Sequence, residues 1–273
     1  MRNPESPLSL FDLRSLLFLP ASNERAIGHA RESDADMVIL DLEDAVKPAD
    51  KESAREGAIA ALKEDWPMPV AIRVNGAHTE WHGPDVVAVM HEKPDAVVVP
   101  RVEARDDLGF VRNQTGLPVL AMIETAKGVL VADTIGHEAA ALIAGTNDLA
   151  ASLRLPRGAG RQPLQMALQQ IVLAARAQEI AVFDGVYNQL DDLHGFAAEA
   201  AEGRMLGFDG KSVIHPSQIA PCHAAFAPTE EEVARAERLV TAASGGAERF
   251  EGEMIERMHV ETAERLLRRA GRR

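Results

Sequence analysis

PVLAMIET, residues 118–125, and ALIAGTNDL, residues 141–149, are the stretches that decide the fold. Each is an apolar run of strand length that leads into a carboxylate, Glu124 in the first and Asp148 in the second, and a helix-like segment lies between them. In a parallel sheet both faces are covered, so strands read as nearly unbroken apolar runs and a charge marks the point where the chain leaves the core. Two neighbouring strands therefore deliver acids at the same end. Carboxylates placed in this way can share one hard divalent cation such as Mg2+ while leaving positions open for water and substrate.

Outward from that pair the same alternation repeats. Further apolar runs are SLLFLP (15–20), MVILDLED (37–44), VAIRVNG (70–76), AVVVPR (96–101), AVFDGVY (181–187) and FDGKSVIH (208–215), which bring the expected strands to eight. Helical patterns occupy 24–31, 49–62, 162–178 and 190–202, with alanine and leucine recurring at three and four. Eight βα units with right-handed crossovers favour closure into a (β/α)8 TIM barrel, a fold of roughly 250 residues. A doubly wound open sheet is the competing architecture, but no glycine-rich dinucleotide loop follows any strand. The barrel is expected over residues 13–226, and a C-terminal helical extension over 227–273 acts as a cap or as an arm onto a neighbouring subunit. Such a short appendix is not expected to bury a core of its own. Thr229, followed by three glutamates, starts the first tail helix. Residues 1–12 are expected to be loosely held.

Composition narrows the partners. Twenty-nine basic against forty-two acidic side chains leave a net charge of -13, which argues against nucleic acid or an anionic membrane surface. The single cysteine, Cys222, allows no intrachain disulfide, reads as a buried inert thiol, and suits a reducing cytoplasm. No apolar run reaches the roughly 18 residues of a membrane span, and the polar opening is not a signal peptide, so the expected location is cytoplasmic.

Active sites of barrels form at the C-terminal ends of the strands. There the sequence collects Asp41, Glu43, Asp44, Arg73, Asn75, Arg101, Glu124, Asn147, Asp148, Lys211 and His215. Charges in apolar strands are paired, metal-bound or substrate-facing, because a lone buried charge is costly. Asp148 could instead cap a helix, whereas Glu124 caps poorly, and jointly the two favour metal ligation. Arg73 fits either a structural ion pair with Glu43 or a fork for a substrate carboxylate. Asp41, Glu43 and Asp44 suit outer-shell groups or arginine partners. His215 reads as a helix entry, and His78 and His82 lack the acid of a metal-binding helix.

Taken in order, RSLLFLP (14–20), VILDLEDAV (38–46), AIRVNG (71–76), VVVPRVE (97–103), AMIETAKGV (121–129), AGTNDLA (144–150), GFDGKSVIHPSQI (207–219) and GEMIE (252–256) resemble the citrate lyase beta-subunit family, within the larger group of metal-dependent aldolases and malyl-CoA lyases. The likeness spans nearly the whole chain. It implies a (β/α)8 barrel, a homo-oligomer of trimeric type, Mg2+ held by Glu124 and Asp148, and Arg73 gripping the carboxylate of an oxo or hydroxy acid. It also implies that Arg14 meets the phosphates of CoA or of an acyl-carrier equivalent. Two departures stand out: Ala21 replaces the family's usual glycine after the first strand, and Glu256 stands where lyases and synthases of this group carry a tail aspartate delivered to a neighbour's site.

The implied reaction is Mg2+-dependent carbon–carbon cleavage, or its reverse, in a hydroxyacyl thioester of the citryl, malyl or citramalyl type. It gives an acetyl thioester and an oxo acid, with Glu256 as base in condensation. One alternative is a class II pyruvate-type aldolase on free hydroxy-oxo acids, although Leu42-Glu43-Asp44 stand where that group carries a histidine base. Another is a non-catalytic ligand-binding subunit of a larger lyase complex.

Overall fold

The computed structural model describes residues 8–272. Two compact units divide the chain, one ending at Ala225 and the other running from Phe226 to Arg273.

The first unit is a closed barrel of eight parallel strands: β1 (Ser15–Pro20), β2 (Met37–Asp41), β3 (Val70–Arg73), β4 (Ala96–Val99), β5 (Val119–Ile123), β6 (Ala141–Ala144), β7 (Ala181–Asp184) and β8 (Gly210–Val213), with β8 returning to β1. Alternate residues point inward. Leu16 and Phe18 of β1, Met37 and Ile39 of β2, Leu120 and Met122 of β5, Ile143 of β6 and Phe183 of β7 form one buried cluster inside the barrel. Their neighbours in sequence, such as Leu17, Leu40 and Ile72, are buried as well, which explains the unbroken apolar runs. The expected strands from the second onward overshoot the observed C-terminal ends by two to four residues. The overshoot has one cause: side chains past the last paired residue turn into the rim loops. The sharpest case is 141–148, where pairing stops at Ala144 and a helix, Thr146–Ser152, begins at once.

The segment before β1 is better held than expected. A 3-10 turn covers Leu10–Asp12, and Leu10 and Leu13 join the interior cluster at the N-terminal end of the barrel. Residues 1–7, also expected to be loosely held, lie outside the described residues. Cys222 is a free, buried thiol, and burial pushes its pKa up to about 12, in keeping with an inert role. Among the described residues no helix is long and apolar enough to cross a membrane.

Lys211 does not join the rim. From β8 it points outward, fully buried, and Nζ donates to Gly185 O (2.6 Å), Glu199 Oε1 (2.7 Å) and Asp184 Oδ2 (3.2 Å). Arg161 Nη2, from the loop after the helix Thr146–Ser152, donates to both oxygens of Asp184 at 2.9 Å. This network ties β7 and β8 to the helix Leu193–Leu206, which carries Glu199, and to a rim loop. Asn75 is likewise structural, its backbone and side-chain N–H groups donating to Asp85.

The second unit has a small core of its own, contrary to expectation. Helix Glu230–Ala242 opens on a capping box between Thr229 and Glu232, as the sequence pattern implies. A two-stranded hairpin follows, β9 (Glu248–Phe250) and β10 (Glu253–Ile255), closed by Glu251 and Gly252, both at positive φ (48° and 92°). That pair of left-handed residues makes the tight turn that suits strand twist. Helix Arg257–Arg269 completes the unit, and Ala236, Leu239, Ile255, Ala263 and Leu267 are buried together. A hairpin between two helices supplies the third apolar surface that two short helices alone lack.

Replacing Lys211 by Met should destabilise the protein by about 3 kcal/mol, because it strips one partner from a buried charge network. Urea unfolding measures this, and a change below about 1 kcal/mol would show that Arg161 alone holds Asp184 and Glu199.

Candidate functional site

A cleft of about 380 Å3 opens at the C-terminal end of the barrel, lined among others by Phe18, Asp41, Arg73, Met122, Glu124, Gly145, Asn147, Asp148, Asn188 and Ser212. Its size suits a small ligand and its position is where barrel loops converge.

Arg73, the last residue of β3, is buried. Its fork is taken by Asp41 at the end of β2: Nε donates to Oδ1 at 2.7 Å and Nη2 to Oδ2 at 2.5 Å. Register forces the meeting, since Asp41 and Arg73 are cross-strand partners. Nη1 lies 3.1 Å from Glu43 Oε2 and donates to Met122 Sδ at 3.5 Å, while the Phe18 ring sits 5.3 Å from the guanidinium carbon. Burial alone would lower the Arg73 pKa, but Asp41 and Glu43 outweigh it and raise it. The bidentate face expected for substrate is thus occupied by Asp41, and what faces the cleft is the remaining edge of a permanently charged group. The two sequence readings of Arg73, ion pair and cleft residue, describe one side chain.

The turn after β2 is built to hold Asp41 and Glu43. Asp41 accepts from the N–H groups of Glu43 (2.8 Å) and Ala45 (3.1 Å). Lys51 Nζ, buried, donates to Leu42 O and Glu43 O, both at 2.7 Å, and to Asn75 Oδ1 at 2.6 Å. Desolvation raises the Glu43 pKa to about 7 against the pull of Arg73. Sequence reading missed Lys51. A signal was present, since a lysine in the first turn of a helix (Lys51–Leu62) opposes the helix dipole and needs another reason to be there.

Glu124 and Asp148 face the same cleft. Glu124, directly after β5, is buried, and desolvation, reinforced by Glu43 and Asp148, raises its pKa to about 8. Asp148 does not cap its helix: Gly145 is the N-cap of Thr146–Ser152, and Asp148 sits in the first turn with its carboxylate accepting from Arg101 Nη1 at 2.9 Å. Arg101 N–H also donates to Glu124 Oε1 at 2.6 Å. Gly145 backs onto Glu124, and a Cβ there would collide with Glu124 Cβ and Oε2. Among the described residues no set of three or more His, Cys, Asp or Glu side chains converges as a metal cage. Two carboxylates at an open cleft nevertheless fit a hard cation of the Mg2+ type, which keeps several waters and takes ligand oxygens. A buried carboxylate held near-neutral by desolvation is the group such a cation would stabilise in its charged form.

Asn147 and Asn188 exchange amide hydrogen bonds at 3.2 and 2.7 Å, joining the loops after β6 and β7 along one side of the cleft. Ser212 Oγ, buried on β8, has no hydrogen-bond partner among the described residues. Neither Asn188 nor Ser212 carries a sequence signal, because only closure of the barrel brings them to the cleft. His215 caps a 3-10 turn, its Nδ1 accepting from Ser217 N–H at 3.2 Å, and His82 is buried against Asn75 O.

Arg14 is not brought to this cleft. It precedes β1, and its guanidinium pairs with Asp36 through Nε (3.0 Å) and Nη2 (2.9 Å) at the N-terminal end of the barrel, about 20 Å down a six-residue strand from the rim. Its guanidinium is therefore held at the end of the barrel opposite the cleft. Glu256 belongs to the second unit, where it is exposed and its N–H donates to His259 Nδ1 at 2.9 Å ahead of the last helix.

The chain matches the HpcH/HpaI aldolase/citrate lyase family over residues 14–216. It is 39% identical over 269 residues to (3S)-malyl-CoA thioesterase from Cereibacter sphaeroides (strain KD131 / KCTC 12085), covering 94% of each chain. To citrate lyase subunit beta from Escherichia coli (strain K12) it is 33% identical over 282 residues, covering 94% of this chain and 93% of the relative. Among solved structures, protein CitE from Mycobacterium tuberculosis, in complex with magnesium, acetoacetate and coenzyme A, superimposes with a TM-score of 0.81 at 32% identity, covering 94% of this chain and 98% of that one. By fold, by motif order and by identity along its length, the chain belongs to the HpcH/HpaI aldolase/citrate lyase family.

Proposed function

We propose that this protein is a Mg2+-dependent carbon–carbon lyase acting on a hydroxyacyl-CoA thioester of the malyl, citramalyl or citryl type, with Glu124 and Asp148 holding the ion. The observation that carries the reading is the shared cleft: two carboxylates from successive βα units face one space, and a locked arginine stands beside them. The relatives support it, one being named for malyl-CoA, one for citrate lyase, and the solved one holding magnesium with an oxo acid and coenzyme A.

Bound Mg2+ supplies Lewis acidity for the negative charge that develops on oxygen during cleavage. Arg73, fixed by Asp41, presents an unchanging positive field to the carboxylate of the oxo-acid fragment. Phe18 and Met122 keep water from that end of the cleft. In cleavage a base takes the hydroxyl proton, the electron pair left on oxygen forms the carbonyl of the oxo acid, and the bond between the carbinol carbon and the methylene breaks with its pair becoming the thioester enolate. Glu256 of a neighbouring subunit in a homo-oligomer of trimeric type returns a proton to that carbon. In condensation the same carboxylate removes it. Glutamate is one methylene longer than the aspartate that lyases and synthases of this group carry there, which gives its carboxylate a longer reach.

A second reading is favoured by the 39% identical thioesterase: water attacks the thioester carbonyl instead, releasing CoA and the free hydroxy acid. Purified protein with Mg2+ and malyl-, citramalyl- or citryl-CoA, followed by mass spectrometry, separates the two. Acetyl-CoA with glyoxylate, pyruvate or oxaloacetate supports the lyase, and free CoA with the intact hydroxy acid supports hydrolysis. Neither product from any thioester would end both. Glu256→Gln should lower lyase turnover by about 100-fold while oxo-acid affinity stays the same, and an unchanged rate would take Glu256 out of the reaction.

Metal affinity should depend on pH in one direction. Below its raised pKa of about 8, Glu124 carries a proton that Mg2+ must displace. Calorimetric titration is expected to show affinity rising by up to about tenfold per pH unit from pH 6 to pH 8 and levelling above it. Glu124→Gln should abolish both the binding and its pH dependence, and a flat profile in the wild-type protein would contradict the assignment.

Gly145→Ala should weaken Mg2+ binding by at least about tenfold, because the added methyl must displace Glu124. Gly28→Ala, which meets nothing within 4 Å, serves as the neutral control in the same titration.

A further inference from the structure

Among the described residues, Arg101 is the one that hydrogen-bonds to both carboxylates. Its N–H donates to Glu124 Oε1 at 2.6 Å and its Nη1 to Asp148 Oδ1 at 2.9 Å, and among the described residues neither carboxylate accepts any other hydrogen bond. It follows β4 and Pro100 and sits at φ 51°, in the left-handed region that a side-chain-bearing residue rarely adopts. Strained backbone persists where the surroundings fix it, and such positions cluster at working sites. The side chain itself is 56% exposed. One end of the residue is thus pinned in a costly conformation while the other, largely exposed, pairs with Asp148.

We propose that Arg101 is the built-in counter-ion of the metal site: without metal its guanidinium stands in for the cation at Asp148, and metal entry displaces it while its amide stays on Glu124. The inference rests on Glu124 and Asp148 being the ligands. Two acids that lie close in a desolvated cleft repel each other, and a cation between them relieves that repulsion. A guanidinium does so loosely, since an ion pair at an exposed position is weak. It neutralises Asp148 without outbidding a divalent ion for it. The backbone contact serves a separate purpose, because an amide N–H carries no net charge and aligns Glu124 whether or not metal is present.

The prediction concerns competition, so its readout is binding rather than turnover. Arg101→Gln and Arg101→Asn, the second chosen because asparagine tolerates the left-handed backbone, should each bind Mg2+ about two- to fivefold more tightly than wild type in calorimetric titration. In EDTA both should melt at lower temperature than wild type, and in saturating Mg2+ the difference should vanish. Equal or weaker Mg2+ binding, or the same loss of melting temperature with and without the ion, would overturn the counter-ion role and leave the metal assignment standing. Failure of wild type and variants alike to bind Mg2+ would remove the assignment and this inference together.

Discussion

A carboxylate at the end of a buried parallel strand has no stable charged state of its own. Water has been removed from around it, and the nearest groups are the ends of other strands. The rim of this barrel is arranged around that constraint. Asp41 meets it through Arg73, its register partner on the next strand. Glu43, with only an ion pair lacking hydrogen-bond alignment, is pushed to a pKa of about 7. Glu124, further from any fixed cation, is pushed to about 8. Of these last two acids Glu124 is displaced further, and it is the one a metal ion would stabilise more.

Much of this was legible in the sequence because it follows from period and order. The eight apolar runs give the strands, and their spacing gives the parallel barrel. The acids that follow them fall at one end for the same reason. What period does not encode is where pairing stops. Asp148 reads as the end of a strand and is instead in the first turn of a helix, because Gly145 lets the chain turn sharply behind Glu124. Lys211 reads as a rim residue and points the other way, since a shift of one position along β8 exchanges inside for outside. Arg14 lies away from the rim for a related reason: a motif fixes which strand a residue precedes, and its distance from the rim follows only from strand length.

The second unit repeats the lesson on a smaller scale. Thr229 marked the start of its first helix, yet the hairpin that gives the unit its own core lies in GGAERFEGEMIE, a stretch rich in glycine and charge that does not alternate in polarity. Its stability comes instead from two consecutive left-handed residues and from Ile255 packing between the helices. Glu256 follows this hairpin directly and forms a capping box with His259 at the start of the last helix, so its backbone is anchored while the residue stays exposed.

Leu10 and Leu13 seal the barrel at its N-terminal end, joining the same apolar cluster as Leu16 and Phe183. The interior is therefore a filled core with a closed floor, not a tunnel, and the cleft lies above it at the C-terminal end. Under the proposed cleavage both fragments must then depart through the doorway their parent came in by. The one held deeper leaves second, an order of exits that shape alone imposes.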